Sequence, residues 1–357
     1  MVLRESASDP GETRSLVAAA RLGDAQSFEA LVEPYRHELH LHCYRMTGSL
    51  TDADDMLQES LLKAWRAIDS FEDRAFRAWL YKIATNTCLN ELAARGRPRF
   101  LSARPWSGGG PPALAEVEHL QPYPDRLVDD AADPAARFDL KESVALAFIA
   151  VIQLLPPRQR AVLLLRDVLA WSAREVAESL DCSVASANSA LQRARSTLRA
   201  RFEGGEPGTN VLSVSDISEK RLLAGFVDAW ERCDFDALAS LLQEDAILAM
   251  PPAATAQRGS PHVAPLWLRG RAAIVDFLST VPADGHLEQI RLVPIGSNRQ
   301  PALAAFIAET DEGGHNYYGV MVFSLEDGAI SAITGFADST LNDYFGLPSW
   351  LPPDWEG

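Results

Sequence analysis

Two stretches rich in proline, glycine and acidic residues divide this chain of 357 residues into three parts. Residues 97–136 contain closely spaced prolines and a Gly-Gly-Gly-Pro-Pro run, and residues 204–208 form a shorter Gly-Gly-Glu-Pro-Gly break. Proline removes a backbone donor, and such an acid-rich composition buries too little apolar surface to offset the entropy lost on ordering. The sequence therefore predicts three folded domains, with a long flexible linker at 98–137 between the first two.

The spacing of apolar residues differs between the three parts. In residues 11–97 and 138–203 apolar residues recur every three to four positions, which is typical of helices that bury one face. Residues 216–346 begin with two helical segments and continue with strand-length runs of Ile, Val, Phe and Tyr between turns. The pattern predicts a multidomain protein with two all-α helical domains, then an α+β domain, and a tail at 347–357.

Hydropathy and cysteine spacing exclude several classes of protein. The longest apolar run, residues 144–152, is much shorter than the ~20 residues that a membrane span requires. Residues 1–12 lack the basic and apolar parts of a secretory signal. The four cysteines are too far apart for a disulfide framework or a Cys-x-x-Cys metal site. We expect a cytoplasmic protein with free thiols, no membrane contact, no metal and no other cofactor.

The net charge of −16 is unevenly distributed. Residues 216–357 carry 8 basic and 20 acidic side chains, whereas residues 74–104 carry seven Lys or Arg against one Glu. A second basic island, residues 188–202, contains four arginines and no acid. Because a phosphate responds to charge within a Debye length of about 8 Å, both islands are candidates for contact with nucleic acid.

Two segments in the first part have faces that suit macromolecular partners. Segment 52–68 opens within Thr51-Asp-Ala-Asp54, which has the form of a helix-opening capping box. Along this segment, apolar residues share one helix face and polar residues share another. Segment 76–95 mixes aromatic rings with cations, a combination that suits unpaired bases and phosphates. On pattern alone, ordinary solvated or core-packed helices explain both segments at least as well.

Residues 172–195 have the dimensions of a helix-turn-helix. A short helix (SAREVAESL) is followed by a tight turn at 181–183 and a longer second helix. Val176, Leu180 and Leu191 are expected to pack the two helices together, while the polar residues of the second helix would face a major groove. A helical hairpin that binds no DNA fits this isolated motif equally well.

The order of these motifs resembles a bacterial sigma factor of the sigma-70 family, of the extracytoplasmic-function (ECF) type. The resemblance spans residues 25–203 and rests on DADDMLQESLLKAW at 52–65, AWLYKIATNT at 78–87 and LPPRQRAVLLL at 155–165. The stretch CYRMTGS at 43–49 and the additional C-terminal domain are similar to the sigma G-like subgroup, which carries a SnoaL-like domain of the NTF2 type.

The resemblance implies a domain assignment, a function and partners. Residues 11–97 correspond to sigma region 2, residues 138–203 to the region 4 helix-turn-helix, and residues 216–346 to an α+β SnoaL-like, NTF2-like cone. Such a chain is a transcription initiation subunit, not an enzyme. It binds core RNA polymerase at the β′ clamp helices and the β flap, and directs it to the −10 and −35 elements of promoter DNA. A separate anti-sigma factor and a small-molecule ligand of the C-terminal domain are further expectations.

The same resemblance assigns roles to individual residues. The positions matched to the contact with core polymerase are Asp52, Asp55, Gln58, Glu59 and Leu62. The positions matched to recognition of the −10 element are Ser70, Phe71, Trp79, Tyr81, Lys82, Asn86 and Arg95. The positions matched to recognition of the −35 element are Ser183, Ser186, Asn188, Ser189, Gln192, Arg193 and Arg195. Asn188 and Ala190 stand where arginine is frequent in the family, so specificity is expected to shift to Asn188, Gln192 and Arg193.

The C-terminal domain also permits an enzymatic interpretation, because SnoaL-like relatives include cyclases and isomerases. Candidate pocket-lining residues are Trp230, Met250, Trp267, Phe277, Tyr318, Phe323 and Phe336, and candidate acid–base groups are Asp245, His286, His315 and Asp338. No nucleophile–base pair stands out, so aromatic core packing is the simpler account. The alternative function is a SnoaL-like small-molecule enzyme or ligand sensor that carries a DNA-binding module.

Overall fold

The computed structural model describes residues 10–72, 75–95, 117, 120–128, 143–203, 216–251, 266–308 and 313–355. Its contacts divide the chain into two compact units. The first unit contains residues 1–98, 127–132 and 155–199, and the second contains residues 99–126, 133–154 and 200–357. Within the described ranges, no helix has the length and apolar character needed to cross a bilayer.

The described residues of the N-terminal part of the first unit contain five α-helices. They are α1 (Pro10–Arg21), α2 (Ala25–Val32), α3 (Arg36–Thr47), α4 (Leu50–Ala67) and α5 (Phe76–Arg95). Helices α3, α4 and α5 pack against one another. Their shared core includes Leu39, Met46, Leu50, Ala64 and Leu80, each almost completely buried. Helix α4 buries one face, which explains its helical periodicity, whereas α3 is buried on all sides from Leu39 to Thr47.

The start of α4 differs from the sequence prediction. Gly48 ends α3 in the left-handed conformation, with a φ of 77°, and Ser49 follows in an extended conformation. The Ser49 hydroxyl accepts a hydrogen bond from the Asp52 backbone N–H at 3.2 Å, so Ser49 is the N-cap. The predicted capping box beginning at Thr51 is wrong, because the chain reverses immediately after Gly48 and the helix starts at Leu50.

Four helices have both ends within the described residues 143–203. They are α6 (Leu146–Gln153), α7 (Pro157–Leu163), α8 (Ala173–Ser179) and α9 (Val184–Glu203), and a π-helical turn (Leu164–Val168) extends α7. Pro157 occupies the first turn of α7, where its missing N–H costs nothing. The Pro156-Pro157 pair falls at the division of units: α6 belongs to the second unit, and α7, α8 and most of α9 belong to the first.

The C-terminal domain begins with α10 (Asp216–Glu231) and α11 (Phe235–Leu241). The elements that follow are β1 (Leu242–Met250), β2 (Leu266–Arg269), α12 (Arg271–Leu278), β3 (Ile290–Ser297), β4 (Gln300–Ala308), β5 (His315–Glu326), β6 (Ala329–Phe336), α13 (Asn342–Phe345) and β7 (Trp350–Leu351). The strands form one sheet in the order β2-β1-β6-β5-β4-β3, and β7 pairs with β5. All pairs are antiparallel except β1 with β6. The predicted fold class is confirmed.

The aromatic residues proposed to line a pocket are instead largely core residues. Trp230 and Phe323 are buried between the helices and the sheet, and the Phe226 and Phe323 rings lie 5.0 Å apart. The indole of Trp230 donates a hydrogen bond to the Ile290 carbonyl at 3.1 Å. Tyr318 is exposed rather than enclosed. Apolar packing is therefore the main role of this aromatic set, which removes the argument for catalysis based on it.

Part of the predicted flexible linker is docked on the second unit. Within residues 120–128, Leu120 and Tyr123 are buried, and Pro124 forms a β-bridge with Ser297 at the end of β3. The linker prediction is therefore wrong for this segment, because its backbone groups have partners at the edge of the sheet. Composition did not reveal this, since the segment is fixed by contacts with residues more than 170 positions away.

Candidate nucleic-acid interface

An exposed stripe runs along α4. Asp55, Gln58, Leu62 and Arg66 are exposed at helical spacing, whereas the opposite side, which includes Ala53 and Ala64, is buried. Leu62, which lies within this stripe, is 50% exposed. One apolar anchor within a polar stripe is a common feature of protein–protein interfaces.

The remaining two polymerase-contact candidates are paired within the chain. Glu59 lies 3.3 Å from Lys63, and both side chains are about half exposed. Asp52 binds the guanidinium of Arg95, with Nη2 2.8 Å from Oδ1, and its side chain is only 17% exposed. This hydrogen bond raises the pKa of Arg95. Asp52 and Arg95, predicted to contact polymerase and DNA respectively, are therefore partners of each other.

Phe71 is not available for base capture in this structure. Its ring lies 5.3 Å from the rings of both Phe76 and Trp79, and the residue is 3% exposed. The predicted contact of Phe71 with a base is therefore replaced by core packing. Ser70 next to it is exposed, and its hydroxyl donates to the Ala67 carbonyl at 2.7 Å.

Tyr81 is a second correction among the −10 candidates. It is 1% exposed, and its ring lies 5.0 Å from the His42 ring and 6.1 Å from the Trp171 ring. Burial raises the pKa of its phenol. The guanidinium of Arg77 covers the ring at 4.9 Å. Since Tyr81 faces the core of the first unit, it cannot stack on a base here.

Three −10 candidates on α5, Trp79, Lys82 and Asn86, line a groove of about 350 Å³ between α4 and α5. Its walls are formed by Lys63, Ala67, Trp79, Lys82, Ile83, Asn86, Thr87 and Asn90. The groove places an indole ring, an ammonium group and a carboxamide next to one another. These groups can stack on a base, bind a phosphate and hydrogen-bond a base edge.

Two of the groove residues also contact the helix-turn-helix. The ammonium of Lys82 donates to the Glu178 carbonyl at 3.1 Å and lies 3.5 Å from the Asp181 carboxylate. The Asn86 carboxamide donates to the Lys82 carbonyl at 3.0 Å and to the Ser179 carbonyl at 3.3 Å. These contacts join α5 to the end of α8 within the first unit.

The helix-turn-helix has a well-defined start and turn. Ser172 and Glu175 form a capping box at the start of α8, and the hydrogen bonds from Ser172 lower the pKa of Glu175. Asp181 turns the chain with a φ of 46°. The Ser183 hydroxyl accepts a hydrogen bond from the Ser186 N–H at 3.1 Å and so caps α9. Local sequence therefore defines both ends of the turn.

All predicted −35 residues are exposed on the side of α9 away from its core contacts. They are Ser183, Ser186, Asn188, Ser189, Gln192, Arg193 and Arg195. On the opposite side of the helix, Ala187, Leu191 and Ala194 recur at helical spacing and are buried. Arg195 binds Asp167 through two hydrogen bonds of 2.6 and 2.9 Å, so its charge is partly compensated. The exposed amides and guanidinium of this helix are the groups that recognise base edges.

A polar site that the sequence analysis missed lies in the turn between β3 and β4. Asn298 is completely buried, and its side chain accepts from the Tyr123 N–H and donates to the Val144 carbonyl, both at 2.8 Å. Its own N–H donates to the Tyr123 carbonyl at 2.7 Å. Gln300 accepts from the Leu146 N–H at 2.8 Å. The Gly-Ser-Asn pattern indicated only a turn, and no local signal names the distant partners.

The candidate acid–base groups of the C-terminal domain lie in different environments. Asp245 and His286 are exposed, and His286 lies 3.0 Å from Glu288. Asp338 is buried and accepts hydrogen bonds from Thr340 and from Gln121 of the linker. Burial lowers the pKa of His315. The described residues therefore place these groups in structural roles and do not assemble them into one catalytic site.

Three family models match successive parts of the chain. "Sigma-70 region 2" matches residues 31–98, "Sigma-70, region 4" matches residues 145–198, and "SnoaL-like domain" matches residues 223–333. The first match contains the α4 stripe and the groove, the second contains the helix-turn-helix, and the third contains most of the sheet. Their order agrees with the order inferred from the motifs.

Relatives of known identity extend this result. The ECF RNA polymerase sigma factor SigG of Mycobacterium tuberculosis is 41% identical over 345 residues, which cover 94% of this chain and 86% of that protein. The ECF RNA polymerase sigma-E factor of Escherichia coli is 33% identical over 51% of this chain and 90% of its own length. The crystal structure of the M. tuberculosis ECF sigma factor SigJ matches with a TM-score of 0.57 and 24% identity, covering 91% of this chain and 100% of that one, and shows a shared fold. The chain therefore belongs to the ECF family of RNA polymerase sigma factors.

Proposed function

We propose that this chain binds core RNA polymerase in the cytoplasm and directs it to promoters, with region 2 docking and opening DNA and region 4 anchoring upstream. The observation that carries the proposal is the exposed stripe of α4, where half-exposed Leu62 lies among polar side chains. Desolvation of Leu62 against the β′ clamp helices would anchor the contact, and Asp55, Gln58 and Glu59 would form its polar rim.

Charge reversal on the stripe tests the docking role. Glu59→Lys changes a half-exposed position outside the buried face of α4, and we expect it to abolish promoter-directed transcription with core polymerase. The matched control is Glu231→Lys, which reverses an exposed charge at the end of α10. Full activity of Glu59→Lys in run-off transcription from a genomic promoter library would contradict the proposal, as would equal losses in both variants.

We assign strand capture at the −10 element to the groove lined by Trp79, Lys82 and Asn86, with Ser70 exposed in the 3-10 turn that follows α4. Extruding a base costs a few kcal/mol of stacking, which an indole face and hydrogen-bonding groups can offset. Trp79→Ala should therefore slow strand opening, as followed by permanganate reactivity of unpaired thymines, while binding to core polymerase is retained. Unchanged opening would remove Trp79 from this role.

We assign −35 recognition to the exposed side of α9. Gln192 has the carboxamide that pairs with adenine in a major groove, and Arg193 has the guanidinium that pairs with guanine. Loss of one such pair costs about 1–3 kcal/mol of discrimination. Arg193→Ala should therefore relax base preference at one −35 position in a randomised promoter library, whereas an unchanged preference at every position would contradict the assignment.

We propose that the C-terminal domain regulates the sigma factor by holding the segment that joins regions 2 and 4. The support is the Asn298 turn, which binds the linker at Tyr123 and the approach to α6 at Val144. Arg126 strengthens the attachment by donating to the Asp343 carbonyl at 2.7 Å. A small-molecule ligand and a separate anti-sigma factor remain predictions.

A further inference from the structure

The last residue of α1 is tied to the turn that follows α4. The Arg21 guanidinium donates through Nε to the Ile68 carbonyl at 3.4 Å and through Nη2 to the Phe71 carbonyl. These carbonyls flank the 3-10 turn Ile68–Ser70, which is closed by a hydrogen bond of 3.2 Å from the Phe71 N–H to the Ile68 carbonyl. One side chain, 47 and 50 positions away in the sequence, therefore spans the whole turn.

A guanidinium suits this place for two physical reasons. The last carbonyls of a helix have no intrahelical partners, and a cation near them interacts favourably with the helix dipole. Arginine also carries its donors in a rigid planar fork that can bind two fixed carbonyls at once, whereas the lysine ammonium is a single point on a flexible stem. Helix α1 has its own apolar anchors in the buried Val17 and Ala20, whereas Arg21 is exposed. Loss of the fork should therefore loosen the turn while α1 stays packed.

The turn leads directly into the wall of the groove between α4 and α5. Phe71 is 3% exposed, and its ring lies 5.3 Å from the ring of Trp79, which lines the groove. Ser70, the last residue of the turn, is exposed, and its hydroxyl donates to the Ala67 carbonyl at 2.7 Å. The backbone that Arg21 holds thus sets where Phe71 supports the indole and where Ser70 is presented.

We propose that Arg21 is a positioning residue for capture of the −10 strand, because it fixes the turn after α4 so that the Trp79 ring and the Ser70 hydroxyl are in place before an unpaired base arrives. The inference rests on the proposed role of the groove and adds a residue that is not among those that line it. A site that is ordered before binding loses less conformational entropy when it captures its ligand. The restraint matters because a binding site must be held within about 0.5 Å of its productive geometry.

Hydrogen exchange of the free full-length chain measures the restraint without polymerase. The reporter is the Phe71 amide, whose hydrogen bond closes the turn, and the internal control is the Gly48 amide, which is hydrogen-bonded at the end of α3. We expect the Phe71 amide to exchange about tenfold faster in Arg21→Ala and Arg21→Lys, with the Gly48 amide unchanged. Arg36→Ala removes an arginine that binds Glu29 at 2.6 Å, and it should change neither amide. Unchanged exchange of the Phe71 amide in Arg21→Ala would overturn the restraint.

Strand opening with core polymerase and promoter tests the consequence. Arg21→Ala and Arg21→Lys should both slow the appearance of permanganate-reactive thymines by about tenfold while their affinity for core polymerase is unchanged. Normal opening in Arg21→Lys beside slow opening in Arg21→Ala would make Arg21 a phosphate contact and overturn the positioning role. Slow opening in Trp79→Ala with normal opening in both Arg21 variants would overturn that role alone, whereas normal opening in Trp79→Ala would overturn the groove assignment and this inference with it.

Discussion

Arg95, the last residue of α5, holds the carboxylate of Asp52 in the first turn of α4 through two hydrogen bonds, with Nη2 2.8 Å from Oδ1. Arg95 also binds Glu91 one turn earlier at 2.8 Å. The resemblance to sigma factors assigns Asp52 to polymerase and Arg95 to DNA, yet here each neutralises the other. Binding of polymerase at Asp52 or of DNA at Arg95 would therefore compete with this ion pair.

Asp52→Asn tests this competition. The change retains the shape of the side chain and removes its charge, so Arg95 is less strongly held and more available to phosphate. We expect about threefold tighter binding of non-specific DNA at low salt, because each added phosphate contact releases counterions, and a steeper salt dependence. Fluorescence anisotropy at two salt concentrations measures both.

The matched control for this change is Asp55→Asn, which removes the same charge from an exposed position of the same helix. It should increase binding much less. Equal increases in the two variants would show that only net charge matters and that the Asp52–Arg95 pair does not restrain Arg95.

His42 makes the first unit sensitive to acid. It is fully buried, hydrogen-bonded to the Thr85 hydroxyl at 2.9 Å, and its burial together with nearby Arg45 and Arg77 lowers its pKa to about 3. The unfolded chain binds a proton near pH 6.5, whereas the folded chain does not until about pH 3. The contribution of neutral His42 to the free energy of unfolding is therefore complete above about pH 6.5 and is lost as the pH falls toward 3.

We accordingly expect the free energy of unfolding to fall by about 1.4 kcal/mol between pH 7.5 and 5.5 from His42 alone. The free energy of unfolding of His42→Gln, measured by chemical denaturation, should lack this part of the pH dependence even if the variant is less stable overall. His37→Gln changes an exposed histidine and should retain it. The same slope in both variants would mean that His42 is not the responsible group.

Asn298→Asp should release the linker from the C-terminal domain. The two side chains have the same shape, but a carboxylate replaces the donor that faces the Val144 carbonyl, and a charge is buried at a completely enclosed position. We expect trypsin to cleave after Arg126 about tenfold faster, since proteolysis follows local opening.

The control for the linker test is Asn316→Asp, an equivalent change at an exposed position of β5. Its cleavage rate should match that of the unmodified chain. Point substitution is preferable to removal of the C-terminal domain, because removal would expose the apolar surface of α6, whose residues are nearly all buried.

Ser49→Ala should cost about 1 kcal/mol of unfolding free energy, the usual value of an N-cap side chain. Thr51→Ala serves as the comparison, since the structure places Thr51 inside the first turn of α4 and Ser49 at the cap. Thermal and chemical denaturation of the two variants show whether Ser49 or Thr51 is the N-cap of α4. A larger loss for Thr51→Ala would restore the capping box that the sequence suggested.

Local patterns were sufficient to predict the fold class and much of the surface. Helix periodicity, turn residues and strand-length apolar runs act over a few positions, so they predicted the helical region around α4 and α5, the helix-turn-helix and most strands of the sheet. The exposed residues Gln58, Gln192 and Arg193 could be anticipated because amphipathic spacing places them opposite a buried face, whereas Leu62 was implied only by the resemblance to sigma factors.

Tertiary structure alone decided which predicted side chains are available. Phe71 and Tyr81 have the composition of base-binding residues, but helix packing buries both. Asp52 meets Arg95 across 43 positions, Asn86 meets Ser179 across 93, and Tyr123 meets Asn298 across 175. Sequence by itself determined which chemical groups this protein has on each helix and strand. Which of these groups already have a hydrogen-bond partner within the chain depends on contacts between distant residues. A hydrogen bond of about 3 Å forms only where the folded chain brings two groups together, and it leaves no periodic signal along the sequence.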